Sequence, residues 1–408
     1  MREMKDSNFD TLGKIPGNWG KMRLKNVCQI TTGDSDTQDA NEDGKYPFYV
    51  RSPIVEKSTK YTFDGEGILM AGDGAGAGRI FHHAYGKYAV HQRVYRLFDF
   101  KGVNSDYLFY YVSEMFPHEM DKGSAQSTVP SVRLPMLTNL PVLIPSEAEQ
   151  LCIVNFLDDK CAAIDEAIFR QKETIEKLEE YKRATIIHKV SHTDTDTDYV
   201  SSGIPWMPEI PKSWDILPLK YAVTQRVNKN VGMQEKNLLT LSYGEIKRKN
   251  IETNEGLLPA SFEGYNIIEK GDVVLRLLDL QNDTHSLRTG LVRERGIITS
   301  AYVTITPSSL FDSAYCRYLL HAYDLMKVLY TMGEGVRQSL SFNELSRKIL
   351  IAVPPIDEQR KIAEDISTME TNVNEAINRM LKNIEKLEEY KKSLIYNAVT
   401  GKIDCRNA

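Results

Sequence analysis

The chain has 408 residues, 41% of them apolar and 26% charged, which suits two or three domains and excludes wholesale disorder. Its formal charge of −5, from 51 basic and 56 acidic side chains, excludes a strong autonomous non-specific DNA binder, so any role on nucleic acid must be local or shared with a partner. The polar start MREMKDSNFDTLGK lacks a signal-peptide core and no run approaches the ~20 apolar residues that span a bilayer, so a cytoplasmic protein with no membrane partner is expected.

Taken in chain order, the first landmark is IPGNWGKMRLKNV at 15–27. A body over about 20–144 follows, reading as short strands broken by turns: YPFYV, GILMAGDGAGAGRIFHHA and YAVHQRVYRLF. SDYLFYYVSEMF at 105–116 has the pattern of a helix closing that body. Proline and acidic residues then open a long helix at 146–191, as a helix N-terminus favours. KVSHTDTDTDYVSSG is polar and predicts a linker at 192–203. From there the plan is repeated. IPKSWDILPLKYA at 210–222 matches the first landmark, with Trp214 for Trp19 and Leu219-Lys220 for Leu24-Lys25. A second body has strands in GDVVLRLLD and GIITSAYVTITP and a helix near 313–330, and a second long helix occupies 355–400.

The octapeptide IEKLEEYK occurs at 175–182 and again at 384–391, an offset of 209 (384 − 175). Such self-similarity marks a duplicated architecture. In the first long helix Leu157, Cys161, Ile164, Ile168, Gln171, Ile175 and Leu178 are spaced 4, 3, 4, 3, 4, 3. Ile366, Glu370, Val373, Ile377, Met380, Ile384 and Leu387 form the same row in the second. This is an a/d stripe, the signature of a helix burying a narrow seam against another. Glu179, Glu180 and Lys182, with Glu388, Glu389 and Lys391, fall on the side expected to be solvated. Their identity predicts a shared docking surface for a partner, centred on Glu179, Glu180, Glu388 and Glu389. The bland alternative is that each helix only packs on its own body.

The expected fold class is therefore α+β: two similar mixed α/β bodies separated by two long antiparallel coiled-coil helices, in a pseudo-twofold internal repeat. The predicted division is 1–145 for the N-terminal segment and first body, 146–191 for the central spacer helix, 192–203 for the linker, 204–354 for the second body, 355–400 for the C-terminal spacer helix and 401–408 for the tail.

Catalytic signals are sparse. Cys28, Cys152, Cys161, Cys316 and Cys405 are scattered and odd in number, which fits neither disulfides nor zinc. His82 and His83 are adjacent, so on a strand they point to opposite faces. The glycines of Gly72–Gly78 invite a nucleotide-cofactor reading, but that fingerprint requires a helix directly after them, and RIFHHA is strand-like. No catalytic, cofactor-binding or metal-binding residues are predicted. The bodies instead carry polar loops beside glycines, in which Gln and Arg suit base edges and Ser, Thr and backbone N–H groups suit phosphates. The candidate DNA contacts are Gly74, Gly76, Arg79, Gln92, Arg93, Ser124, Gln126, Ser127, Lys247, Arg248, Lys249, Arg288, Arg337, Gln338 and Ser339.

The two I-P-x-x-W…L-K openings, the two P…EQ…IEKLEEYK helices, AVTGKID at 398–404 and the GDGAGAG loop followed by His91-Gln92-Arg93 resemble, over essentially the whole length, the specificity subunits of type I restriction-modification enzymes. The resemblance implies two target-recognition domains, each reading half of a bipartite double-stranded DNA site, and helices that set the gap and dock two modification subunits methylating adenine N6. It also implies two motor-nuclease restriction subunits. S-adenosylmethionine would belong to the modification subunit and ATP with Mg²⁺ to the restriction subunit, with no cofactor on this chain, which would be non-catalytic. The alternatives are an orphan or scaffold specificity subunit serving methylation only, and an enzyme using the Gly72–Gly78 loop.

Overall fold

The computed structural model describes residues 2–7, 12–123, 130–192, 198–249, 261–280, 287–333 and 338–407. Six α-helices lie among them: α1 (Ser105–Gly123), α2 (Leu134–Thr138), α3 (Glu147–Ser191), α4 (Ser313–Leu325), α5 (Phe342–Lys348) and α6 (Ile356–Val399). The long helices α3 and α6 contain 45 and 44 residues, or ~66 Å each at 1.5 Å per residue. Glu147 and Glu149 lie in the first turn of one, Asp357 and Glu358 in that of the other, where the helix dipole favours negative charge. No helix among the described residues is long and apolar enough to cross a membrane.

The chain divides into two compact units, Met1–Lys172 with Leu381–Ala408, and Glu173–Met380. The division falls inside the long helices and not at their ends, so each unit holds one body and a segment of both α3 and α6. The predicted linker at 192–203 also ends early: Tyr199–Ile204 is a strand paired antiparallel with Met207–Pro211. Ser201, Ser202 and Gly203 at its centre concealed it, yet Ile204 is buried.

The two bodies share the order of one four-stranded sheet. In the first, a four-stranded sheet runs in the order Gln29–Thr32, Val94–Phe98, Gly67–Ala71, Phe81–Ala84. In the second, the order is Val223–Gln225, Val303–Pro307, Val273–Leu275, Thr289–Leu291. Pro141–Ile144 pairs with Gly20–Arg23 in the register that Leu350–Val353 adopts with Asp215–Pro218. Trp19 and Trp214, which identify the repeat in sequence, are both buried.

Buried polar side chains repeat as well. The Tyr107 hydroxyl donates to the Leu143 carbonyl and that of Tyr315 to the Ala352 carbonyl, at 3.0 and 3.2 Å. Gln150 is almost fully buried; its Oε1 accepts the Asn104 N–H at 2.6 Å and its Nε2 donates to the Pro145 carbonyl at 3.0 Å. Gln359 does the same with Asp312 and Pro354 at 2.8 Å each, and also donates to Leu310 at 3.0 Å. The glutamine of each E-Q pair is thus a clamp that ties the start of a long helix to the N-terminal turn of the shorter helix beside it, where buried backbone groups need partners.

Within the second unit α3 and α6 run antiparallel: Lys182 Nζ donates to Asn374 Oδ1 at 3.1 Å and Lys189 Nζ to Asp365 Oδ2 at 3.3 Å. Within the first, Lys391 Nζ meets both carboxylate oxygens of Asp165 at 2.6 Å. Lys182 and Lys391 are equivalent under the 209-residue offset, as are Asn374 and Asp165. Leu157, Ile164, Ile168, Ile366, Val373, Ile377 and Ile384 of the seam are buried, and Ile175, Leu178 and Leu387 half-buried. The solvated assignment of Lys182 is corrected: its stem lies along the helix pair and its ammonium bonds Glu179 at 2.8 Å as well as Asn374. A long basic side chain can cover a seam while its charged end reaches a polar partner.

Candidate nucleic-acid interface

The glycine loop of the first unit leaves Gly67–Ala71 and returns through Phe81–Ala84, so the element that follows it is a strand and not a helix. The cofactor fingerprint therefore lacks its phosphate-binding element. Close approach explains the glycines. A Cβ on Gly72 would sit 2.8 Å from the Arg93 carbonyl, and one on Gly76 would meet the Ile80 side chain at 2.2 Å. Gly74 has φ +77°, in the left-handed region that glycine enters at little cost.

This loop holds Asp73 between two arginines. Arg51 Nη1 donates to Asp73 Oδ1 at 2.7 Å, and Arg93 Nη1 to Asp73 Oδ2 at 2.5 Å. Burial pushes the Asp73 carboxyl up, but hydrogen bonds from Arg93 and Arg51 outweigh it and hold the group below the usual carboxylate range. His91 fixes the neighbouring turn from inside. It is buried, its backbone N–H bonds the Tyr49 carbonyl at 3.0 Å, and its Nδ1 accepts the Arg93 N–H at 3.0 Å. Burial and the nearby Arg51 lower its pKa, keeping the ring neutral and Nδ1 available as an acceptor. Gln92 and Arg93 are thereby left exposed on the outside of the turn. Sequence reading found Gln92 and Arg93 but missed Arg51 and Asp73, which lie 42 (93 − 51) and 20 (93 − 73) residues away in the chain. Arg79 is exposed and paired with Asp121.

In the second unit Leu239–Ser242 and Glu245–Arg248 form a two-residue hairpin. Its central residues, Tyr243 at φ +50° and Gly244 at φ +78°, take the left-handed conformations of a type I′ turn, which matches the strand twist. Tyr243 is 82% exposed at the tip. Lys247 is exposed and paired with Glu245 at 3.0 Å; Arg248 grips Glu294, with Nε to Oε1 at 2.7 Å; Lys249 is exposed. Gln338 is half-buried with its carbonyl accepting the Leu280 N–H at 3.2 Å, and Ser339 is exposed.

Arg288 corrects the sequence reading. It is fully buried, and its guanidinium donates to the carbonyls of Arg276, Leu278, Asp279 and Leu280 at 2.7 to 3.2 Å. It organises the loop from within and presents nothing to a ligand; the basic residue just before a strand looked like a surface contact because the carbonyl cage is invisible in sequence. Ser124, Gln126, Ser127 and Arg337 lie outside the described residues. Of the docking candidates, Glu180, Glu388 and Glu389 are exposed, while Glu179 is half-buried against Lys182. Cys28, Cys161, Cys316 and Cys405 are buried and all five cysteines are free thiols; burial pushes Cys28 up to about 12 and Cys405 up to about 11, which suppresses thiolate chemistry.

Residues 16–180 match the sequence profile described as the type I restriction modification DNA specificity domain. The chain is 24% identical to the type I restriction enzyme MjaVIII specificity subunit of Methanocaldococcus jannaschii, over 100% of this chain and 98% of that one. It is 26% identical to the EcoDI specificity subunit of Escherichia coli, over 43% of this chain and 38% of that protein's length. Among solved structures, a chain from work on complex assembly and conformational transition of the type I R-M system superposes with a TM-score of 0.68 at 13% identity, covering 95% of this chain and 99% of the other. The HsdS subunit from Thermoanaerobacter tengcongensis superposes with a TM-score of 0.52 at 13% identity, covering 95% and 98%.

Proposed function

We propose that the chain is a specificity subunit of a type I restriction-modification system and directs adenine-N6 methylation to a bipartite double-stranded DNA site, each body reading one half. The observation that carries this reading is the contrast between the bodies: one sheet order and one set of buried clamps, but different exposed loops. An Arg–Asp–Arg cluster marks the first and a tyrosine-tipped hairpin the second. Two readers on a common scaffold with divergent polar loops suit two unlike half-sites.

The long helices set the gap between half-sites and dock two modification subunits. What supports docking is identity at outward positions: Tyr181 and Tyr390 are each 55% exposed, and Glu180 and Glu389 beside them are exposed. Exposed tyrosine ringed by charge is a common interface anchor. In this reading S-adenosylmethionine is bound by the modification subunits, ATP and Mg²⁺ by two restriction subunits, and the chain itself contributes recognition and no catalysis. Footprinting of the chain assembled with its modification subunits tests it: two protected segments separated by a fixed unread gap are expected, and uniform protection along the duplex would reject it.

A further inference from the structure

We propose that Arg51 and Arg93, aligned by Asp73, form a guanine-reading fork in the first unit; this rests on the DNA-reading role proposed above and adds the base that is read. The three side chains come from separate parts of the body: the connection after Tyr46–Tyr49, the glycine loop, and the turn before Val94–Phe98. Asp73 is 17% exposed at its side chain, whereas Arg51 and Arg93 are 42% and 62% exposed, so the carboxylate is the inner support and the guanidiniums the outer face. Each arginine spends Nη1 on Asp73. Among the described residues no protein acceptor is placed on Nε or Nη2 of either, which leaves each guanidinium a planar pair of unused donors.

Two donors in a fixed plane match the O6 and N7 acceptors of guanine in the major groove. A phosphate clamp fits less well, because Asp73 halves the net charge of the arginine pair and itself repels phosphate. What the carboxylate contributes is orientation. The supporting shell is rigid: His91 holds the Arg93 N–H, and Gly72 N donates to the Arg93 carbonyl at 2.9 Å. The corresponding turn before Val303–Pro307 in the second unit reads Ser300-Ala301-Tyr302, with no arginine. The fork therefore belongs to one half-site only, as a sequence reader should.

The test uses the chain assembled with its modification subunits on a duplex carrying its mapped methylation site. Each guanine is replaced in turn by 7-deazaguanine, which lacks the N7 acceptor. We expect one such replacement to weaken wild-type binding by about 10- to 150-fold, the cost of losing one hydrogen bond to a charged donor while O6 is kept. That penalty should vanish in Arg51→Ala or Arg93→Ala, and persist at guanines of the other half-site. Arg93→Lys, which keeps the charge and loses the fork, should lose the 7-deazaguanine penalty while retaining the salt dependence of binding. Asp73→Asn, a positioning variant, should shrink the penalty; if it fails to fold, the arginine variants carry the test alone. Equal penalties in wild type and both alanine variants, or a change confined to the salt slope, would overturn the fork while leaving bipartite reading intact. Absence of any sequence-specific binding would instead overturn the reading on which it rests.

Discussion

Gln359→Leu removes a clamp with little change of volume, and its cost is calculable. The wild-type side chain is fully buried and makes three hydrogen bonds, to Asp312 N–H, Pro354 C=O and Leu310 C=O. Each buried partner left unpaired costs ~1–3 kcal/mol, and the gain from burying leucine and some relaxation offset part of the total. A net loss of about 3 kcal/mol is expected, lodged where α6 begins beside α4. Native-state hydrogen exchange is the assay, since a chain of two units has no single unfolding free energy. Protection of the slow amides in Ser313–Leu325 should fall about 100-fold, at tenfold per 1.4 kcal/mol. Amides of Ser105–Gly123, whose own clamp Gln150 is untouched, serve as the internal control. A fall of less than about threefold in α4 would refute the clamp, because it would mean those backbone groups find other partners at no cost.

Three further outcomes follow from the same contacts. Burial, with help from Arg317 and Lys182, pushes His321 down to about 3, so the unfolded chain takes up its proton first. Stability present above pH 6.5 should therefore be lost as pH falls from 6.5 toward 3, at up to about 1.4 kcal/mol per unit, and His321→Leu should flatten the fall in amide-exchange protection of Ser313–Leu325 between pH 7 and pH 5. Tyr243→Asn places a residue better suited to positive φ at the hairpin tip; exchange should slow in Leu239–Arg248 by an amount worth about 0.5–1 kcal/mol, while binding to the mapped site weakens if the tyrosine ring meets DNA as the two-reader account requires. Glu180→Lys with Glu389→Lys should weaken association with the modification subunits, measured by titration calorimetry, without shifting the melting temperature by more than about 2 °C, because neither side chain is buried.

Periodicity and repetition made the scaffold legible. The stripe from Leu157 to Leu178 and its copy from Ile366 to Leu387 predict long helices because a 4-3 spacing has one physical solution, and both stripes lie within the long helices α3 and α6. The E-Q pairs were visible as a motif, but not as clamps, since their partners lie 46 and 47 residues away at Asn104 and Asp312. Tertiary pairing also decided the failures. Lys182 reads as solvent-facing on a helical wheel and is drawn onto Asn374 by the antiparallel neighbour; Arg288 reads as a loop cation and is caged by four carbonyls. Arg51 and Asp73 carried no signal alone, because the fork exists only after three distant segments meet.

Base-resolution mapping of N6-methyladenine in cells with and without this gene tests the central claim most directly. The account predicts that deleting the gene erases methylation at one asymmetric bipartite sequence and nowhere else, and that exchanging residues 46–98 for those of another specificity subunit changes one half of that sequence while the other half and the gap stay fixed. Identical maps with and without the gene, or a change in both halves on exchanging one body, would contradict it.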